Sequence, residues 1–201
     1  MSDKLLPVVE EFFSVQGEGF HTGKPAYFIR LGGCDIGCSW CDTRYSWNAE
    51  LHPMEDVSEL IANTLNSGTD SVVVTGGEPL MWNLDLLCSE LKRHKIMTFL
   101  ETSGAYPLSG KWDWICLSPK LQNPPLPGIF QKADELKVIV QDLADFGWAE
   151  KNRSLVESGC HCYLQPEWSR YSEIIPEIVE YVKRERGWKI SLQTHKFMQI
   201  P

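Results

Sequence analysis

Long apolar runs are missing from the 201-residue chain. None approaches the roughly 18 to 20 residues that a membrane span needs, which excludes a transmembrane class. Positive charge is scarce as well. Nineteen Lys and Arg face 27 Asp and Glu, a formal charge of −8, and general nucleic-acid binding needs a concentrated positive surface to neutralise phosphates. The first residues, MSDKLLPVVEEFF, lack the basic segment, apolar stretch and small-residue cleavage site of a secretory signal, so a cytoplasmic location is expected. Repeats, low-complexity stretches and obvious linkers are absent too. What is present is 43% apolar and 11% aromatic residues, enough for one sizeable core and too much for a disordered chain. The expectation is a single domain over residues 1–201 with a small-molecule partner.

Short β-rich segments recur at 26–31, 71–75, 96–101, 112–117, 135–140, 161–164 and 189–192, and read as buried parallel strands. Helical patterns at 57–65, 84–95, 143–157 and 172–186 alternate with several of them, which is the βα order of an α/β fold. Two connections, 102–111 and 119–132, carry Ser, Gly and Pro in place of a helix. A full eight-unit barrel takes about 250 residues, so the pattern predicts a partial (β/α) barrel of mainly parallel strands with some crossover helices missing. Its site is expected at the carboxyl ends of the strands. Missing helices would bare part of the sheet, and a homodimer is expected to cover it.

Seven cysteines are an odd number, and three of them, Cys34, Cys38 and Cys41, crowd into eight residues. A disulfide framework explains them poorly. The C-x3-C-x2-C spacing sits on a glycine-rich loop after the strand at 26–31, where three thiolates can face one point. Three ligands suit a 4Fe-4S cluster with one iron left free of protein, whereas electron-transfer clusters usually take four Cys and structural zinc sites close four positions. A free iron can hold a chelating substrate, and the amino and carboxylate groups of S-adenosylmethionine suit that role. The alternative is a zinc knot completed by His21, His52 or a remote Cys. Trp40, just before the third cysteine, favours the cluster because its ring can pack on an adenine face. Cys88, Cys116, Cys160 and Cys162 fall inside helix or strand patterns and read as small core residues.

With this spacing and the aromatic before the last cysteine, the sequence resembles the radical S-adenosylmethionine superfamily. The strand at 71–75 leads into Gly76-Gly77-Glu78-Pro79, similar to the superfamily's GGEP motif. Glycines there let backbone carbonyls approach a ligand ammonium, and the Glu78 carboxylate would complement its charge. The next two strands run into Glu101-Thr102-Ser103-Gly104 and Ser118-Pro119-Lys120, which supply hydroxyls at strand ends. The resemblance implies that Trp40, Gly77, Glu78, Ser103, Ser118, Pro119 and Lys120 line an S-adenosylmethionine pocket, with Gln165 and Pro166 flanking the adenine.

Three further stretches narrow the likeness: FFSVQGEG at 12–19, PAYFIRLG at 25–32, and Cys41-Asp42-Thr43. From Ser14 to the terminal FMQIP the chain resembles the 7-carboxy-7-deazaguanine synthase family. That resemblance implies a radical enzyme that takes hydrogen from C6 of 6-carboxy-5,6,7,8-tetrahydropterin, contracts the ring, loses ammonia and releases 7-carboxy-7-deazaguanine for queuosine and related 7-deazapurines. It implies that Val15, Gln16, Gly17 and Glu18 read the pterin, that Arg30 forks onto its carboxylate, and that Thr75 adds a hydroxyl. Arg30 could alternatively serve a structural ion pair. By the same resemblance Thr43 helps hold a Mg2+ ion, the terminal carboxylate of Pro201 contacts substrate, and a flavodoxin- or ferredoxin-like reductase delivers the electron. His195 and Lys196 read as solvated tail residues. No protein residue is expected to act as a nucleophile. Two rivals stay open on the residues alone. A radical enzyme that activates a protein partner would leave the QGEG segment unexplained. A zinc-stabilised binding module would show no reaction with S-adenosylmethionine.

Overall fold

Period-two alternation sorts each strand into two faces. In the computed structural model, which describes residues 4–201, one sheet contains nine strands: β1 (Leu5–Val15), β2 (Pro25–Leu31), β3 (Met54–Asp56), β4 (Ser71–Gly76), β5 (Met97–Thr102), β6 (Trp114–Leu117), β7 (Glu135–Val140), β8 (His161–Pro166) and β9 (Lys189–Ile190). Their order is β3-β1-β2-β4-β5-β6-β7-β8-β9. From β2 to β9 every pairing is parallel, while β1 runs antiparallel to both β2 and β3. The sheet has two ends, β3 and β9, and stays an open partial barrel.

One face of this sheet carries Ile29 and Leu31, Val72 and Val74, Leu100, Ile115 and Leu117, Leu136 and Val138, and Leu164, all in a single apolar core. Four helices cover it: α1 (Val57–Asn66), α2 (Asp85–Arg93), α3 (Asp145–Arg153) and α4 (Tyr171–Arg184). They contribute Leu60, Leu87, Leu91, Phe146 and Ile178 among others, and each such side chain stabilises the fold by about 1.5–3 kcal/mol of transfer free energy. α1 starts where the Asp56 carboxylate accepts the Ser58 amide at 2.8 Å, and its apolar Val57, Leu60 and Ile61 fall on the buried face with Thr64, whose hydroxyl donates to the Leu60 carbonyl. The opposite face is different. Phe12, Ala26, Phe28, Val73, Phe99 and Trp114 form a small second cluster inside the curve of the sheet. From the β1–β2 connection, Phe20 stacks on Trp114 and His21 on Phe99, with ring centroids 4.7 and 4.6 Å apart. Together they plug the amino-terminal end of the barrel.

The seven expected strands are all present, with ends moved by a few residues. Two strands were not anticipated. β1 carries mixed polar and aromatic residues (LLPVVEEFFSV), because one edge faces solvent and its inner face meets the cavity. β3 is only three residues long. Three of the four helices are shorter than their patterns, 143–157, for example, being helical only over Asp145–Arg153, while α1 runs one residue past its pattern. The two helix-free connections do not bare the sheet. Tyr106, Leu108 and Trp112 of the first pack on the main core, and Ile129 and Phe130 of the second are buried in it on a 3-10 turn, Pro127–Lys132.

Candidate active site

At the carboxyl ends of the parallel strands lies a cavity of about 570 Å³. The three clustered cysteines, the GGEP glycines and the QGEG segment all line it. The cysteine loop leaves β2 through Gly33 (φ +103) and Gly37 (φ +73), conformations open to glycine. It is fixed by the Gly33 amide donating to the Ser46 carbonyl (2.7 Å) and the Cys34 amide donating to the Trp47 carbonyl (3.0 Å). The GGEP turn docks directly on it. The Gly77 and Glu78 amides donate to the carbonyls of Leu31 and Gly33, at 2.9 and 2.8 Å. A β-carbon on Gly77 would fall 2.3 Å from the Gly33 oxygen and 2.9 Å from Cys34 Cβ. Only glycine permits this approach.

Among the described residues, no group of three or more His, Cys, Asp and Glu is gathered closely enough for one metal ion. Both histidines offered as the fourth ligand of a zinc knot are engaged elsewhere. His21 is stacked in the aromatic plug, and His52 Nε2 is 2.9 Å from the Tyr45 carbonyl. A cluster differs from a single ion because each thiolate binds a separate iron, so three cysteines lining one cavity without converging on a point fit it. Burial pushes the Cys34 thiol up to about 11 and raises Cys38. Iron binding must therefore displace their protons. All seven cysteines are free thiols; Cys88, Cys116 and Cys162 are buried and Cys160 is half-buried.

Glu78 lines the cavity with its carboxylate held by the protein. It is buried, and both carboxylate oxygens are held by the protein: Oε1 accepts from the Leu80 amide (3.0 Å) and Thr102 hydroxyl (2.5 Å), Oε2 from the Ser103 amide and hydroxyl (2.7 and 2.5 Å). It ties the GGEP turn to the loop after β5. Pro119 is a correction: it is buried and does not line the cavity, because successive side chains alternate in direction and only Ser118 and Lys120 on either side reach it. Lys120 Nζ donates to the Ser118 carbonyl and hydroxyl (2.8 and 2.6 Å) and lies 5.3 Å from the centre of the Trp40 ring. Gln165 is buried, accepts the Ser191 hydroxyl at 2.6 Å, and reaches the cavity beside Pro166.

The floor is built from the β1–β2 connection. Val15, Gln16, Gly17 and Glu18 line the cavity from below, Arg30 and Thr75 from neighbouring strands. Arg30 Nε donates to Glu10 at 2.6 Å, so the structural ion pair exists, on a residue that also faces the cavity. Thr43 makes no side-chain cap to the turn it precedes, and its hydroxyl is 3.5 Å from Cys41 Sγ. The carbonyl of Pro201 accepts the Ser14 hydroxyl at 3.1 Å at the cavity's edge. His195 and Lys196 are not solvated tail residues. They sit on a short helix, α5 (Thr194–Met198), line the cavity, and Lys196 bonds Asp42 at 2.6 Å, joining the C-terminal arm to the cysteine loop. The Thr194 amide donates to the Gly17 carbonyl at 2.8 Å, which brings the arm over the floor.

Among the lining residues that escaped the reading of the sequence as site residues are Glu101, Lys137, Gln193, His195 and Lys196. Lys137 lies between Glu18 (2.5 Å) and Glu101 (2.7 Å). Burial alone would push Glu18 up, yet the adjoining Lys137 ammonium holds it at about 2, and the acidic neighbours raise Lys137 well above its usual range against its own burial. A lysine inside the strand run ELKVIV was the available clue: in strict alternation it lands on the inner face, opposite Leu136 and Val138.

Comparison with known proteins agrees with this layout. Residues 28–117, from β2 to the end of β6, match the family model of the radical SAM superfamily. The chain is 48% identical over 198 residues to the 7-carboxy-7-deazaguanine synthase of Flavobacterium psychrophilum, covering 98% of this chain and 94% of that protein. It is 46% identical to the Synechocystis sp. protein of the same name, over 96% of this chain and 93% of that one. The crystal structure of QueE from Escherichia coli superposes with a TM-score of 0.84 at 28% identity, covering 94% of this chain and 93% of that one. Near-complete coverage at this identity, on the same open barrel, makes the chain a member of the 7-carboxy-7-deazaguanine synthase family within the radical S-adenosylmethionine superfamily.

Proposed function

We propose that one cavity serves both halves of the reaction, with a 4Fe-4S cluster on Cys34, Cys38 and Cys41, S-adenosylmethionine along the wall beside it, and the pterin on the floor. The enzyme is a radical S-adenosylmethionine 7-carboxy-7-deazaguanine synthase, converting 6-carboxy-5,6,7,8-tetrahydropterin to 7-carboxy-7-deazaguanine with loss of ammonia, a step toward queuosine and related 7-deazapurines. One observation carries the assignment of residues: the cysteines, the GGEP turn and the QGEG segment, distant in sequence, line a single continuous cavity.

When bound, the cluster and S-adenosylmethionine supply the hydrogen-abstracting 5'-deoxyadenosyl radical. The chain's own part is to bind, orient and exclude water. Trp40, Gly77, Ser103, Ser118, Lys120 and Gln165 hold S-adenosylmethionine, and Glu78 acts by fixing Thr102 and Ser103. Gln16, Glu18 and the backbone of Val15 and Gly17 read the aminopyrimidine edge, Arg30 takes the substrate carboxylate with the donors that Glu10 leaves free, and Thr75 adds a hydroxyl. Thr43 offers a hard oxygen that would help hold a Mg2+ ion, which would supply electrostatic orientation of the carboxylated substrate. A lone hydroxyl suits magnesium, which keeps waters and takes its other oxygens from the ligand. Pro201 closes the cavity's edge.

Anaerobic turnover of reconstituted protein with reductant, S-adenosylmethionine and Mg2+ tests this, with the pterin and its product followed by mass spectrometry. 7-Carboxy-7-deazaguanine is the expected product. Cleavage of S-adenosylmethionine without it overturns the pterin assignment; a folded protein that takes up only zinc overturns both.

A flavodoxin- or ferredoxin-like reductase supplies the electron in this reading, since no side chain is a source of one. The chain acts as one domain, on a sheet and core that run from β1 to β9. A homodimer is supported by the apolar side chains of Leu5, Phe13 and Met54 exposed near the β3 end of the sheet, and sedimentation tests it. A cytoplasmic location is supported by seven free thiols. No helix among the described residues is long and apolar enough to cross a membrane.

A further inference from the structure

The floor of the cavity contains three charges whose stability value is small. Lys137, 4% exposed at its side chain, places its ammonium 2.5 Å from Glu18 Oε2 and 2.7 Å from Glu101 Oε2. Buried ion pairs often contribute no more than apolar side chains of the same volume. Here, moreover, all three residues face a cavity and not a packed core.

The rest of the network fixes orientation. The second oxygen of Glu18 accepts from Gln193 Nε2 at 2.8 Å, and the second oxygen of Glu101 accepts from Gln16 Nε2 at 3.2 Å. Each carboxylate is thus held by Lys137 on one side and an amide on the other. The network joins the β1–β2 connection, β5, β7 and the C-terminal arm. Without the ammonium, two buried carboxylates would face each other and one would take up a proton. A protonated carboxyl donates where an aminopyrimidine edge, itself rich in N–H groups, needs an acceptor.

We propose that Lys137 is a positioning residue for the pterin: its ammonium, clamped between Glu18 and Glu101, keeps both as acceptors turned toward the cavity floor. This rests on the pterin reading of the same cavity. Lys137 does not touch the reacting atoms; it acts through the two carboxylates. Other titratable groups facing the cluster of charges are Cys116 on β6, Glu135 on β7, Lys120 after β6 and His195 on α5. These are shared by wild type and variants, so a difference in pH dependence between them reports on the clamp.

The test is anaerobic calorimetry of 6-carboxy-5,6,7,8-tetrahydropterin binding to cluster-loaded protein with S-adenosylmethionine and no reductant, with thermal unfolding as a folding control. Wild type is expected to bind with little change between about pH 6.5 and 8.5, because the Lys137 ammonium lies between the two carboxylates and holds Glu18 well below that range. Lys137→Gln is expected to bind about ten-fold more weakly at the acid end and to recover several-fold at the alkaline end, as the shared proton leaves. Lys137→Gln/Glu18→Gln, in which the Glu18–Glu101 pair is gone and Glu135 is the same as in the single variant, is expected to bind weakly with that alkaline recovery lost. This double variant carries the test if the single one does not fold. In turnover, the single variant is expected to raise KM more than it lowers kcat. A folded Lys137→Gln protein that binds within about two-fold of wild type on the same flat profile, or a double variant that keeps the slope, overturns the proposal. If wild type binds S-adenosylmethionine but not the pterin, the functional reading itself falls.

Discussion

The wall that carries the cysteines and the floor that carries Glu18 and Lys137 belong to one cavity but are built in opposite ways. The wall is local. Cys34, Cys38 and Cys41 lie within eight residues, and the GGEP turn meets them through backbone atoms, with the Gly33 carbonyl accepting the Glu78 amide at 2.8 Å. The floor is collected from afar. Gln16, Glu18, Glu101, Lys137 and Gln193 come from four separate segments and meet through side chains. A cofactor shared by a superfamily can be held by a loop and a turn, whereas one particular substrate needs side chains placed individually by the fold.

If the two regions are separable, damage to each leaves the other working. Gly77→Ala is expected to have the largest effect, because its methyl group would meet the Gly33 carbonyl and Cys34 Cβ. S-Adenosylmethionine cleavage should fall about 100-fold, as expected for displacement of reacting groups by around an ångström. Pterin binding measured by calorimetry should change little. Equal loss of both would break the comparison. Arg30→Gln is the converse. Loss of its charge-assisted contact is expected to raise the pterin KM by roughly ten-fold or more, about 1.5–3 kcal/mol, with cleavage of S-adenosylmethionine retained.

The smallest effect on chemistry is expected beneath the floor. Glu135 is buried on the inner face, accepts from the Phe20 amide (3.1 Å) and Trp114 Nε1 (3.2 Å) with Oε2, and leaves Oε1 without a partner. Burial, opposed by Lys137, raises its pKa from 4.5 to about 7. The folded state therefore holds a proton that the unfolded chain releases above 4.5. Stability from this group is full below 4.5 and is lost as pH rises through 7, about 3 kcal/mol in all. Glu135→Gln should melt several degrees higher than wild type at pH 8, with the difference vanishing near pH 4.5, and with both half-reactions unchanged. A pH-independent difference in melting temperature would sink this account.

Legibility in the sequence followed the same division. The seven parallel strands were readable because outward-facing Val, Ile and Leu form runs bounded by Gly, Pro and Asp. β1 was not, since Glu10-Glu11 and Phe12-Phe13 come as like pairs that break the period-two pattern on a partly exposed strand. The cysteine loop, GGEP and QGEG were found by spacing and resemblance. Glu101 stood inside a quoted motif without a role, and Lys137 and Gln193 belong to no motif at all. Pro119 shows the reverse: membership of a motif did not bring it to the cavity, whereas Glu78 reaches the cavity with its carboxylate held by the protein.

The sequence by itself determined the crowding of the three cysteines on one loop, the strand-end location of the cavity and the two-faced strands, because these depend on residues a few positions apart along one backbone. Only the tertiary structure decided that the β1–β2 connection folds across the barrel, that α5 leans over it, and that Lys137 sits between Glu18 and Glu101. Charges separated by 119 and 36 positions have no pattern in a linear chain. They become partners only when packing excludes water and leaves each buried charge in need of another.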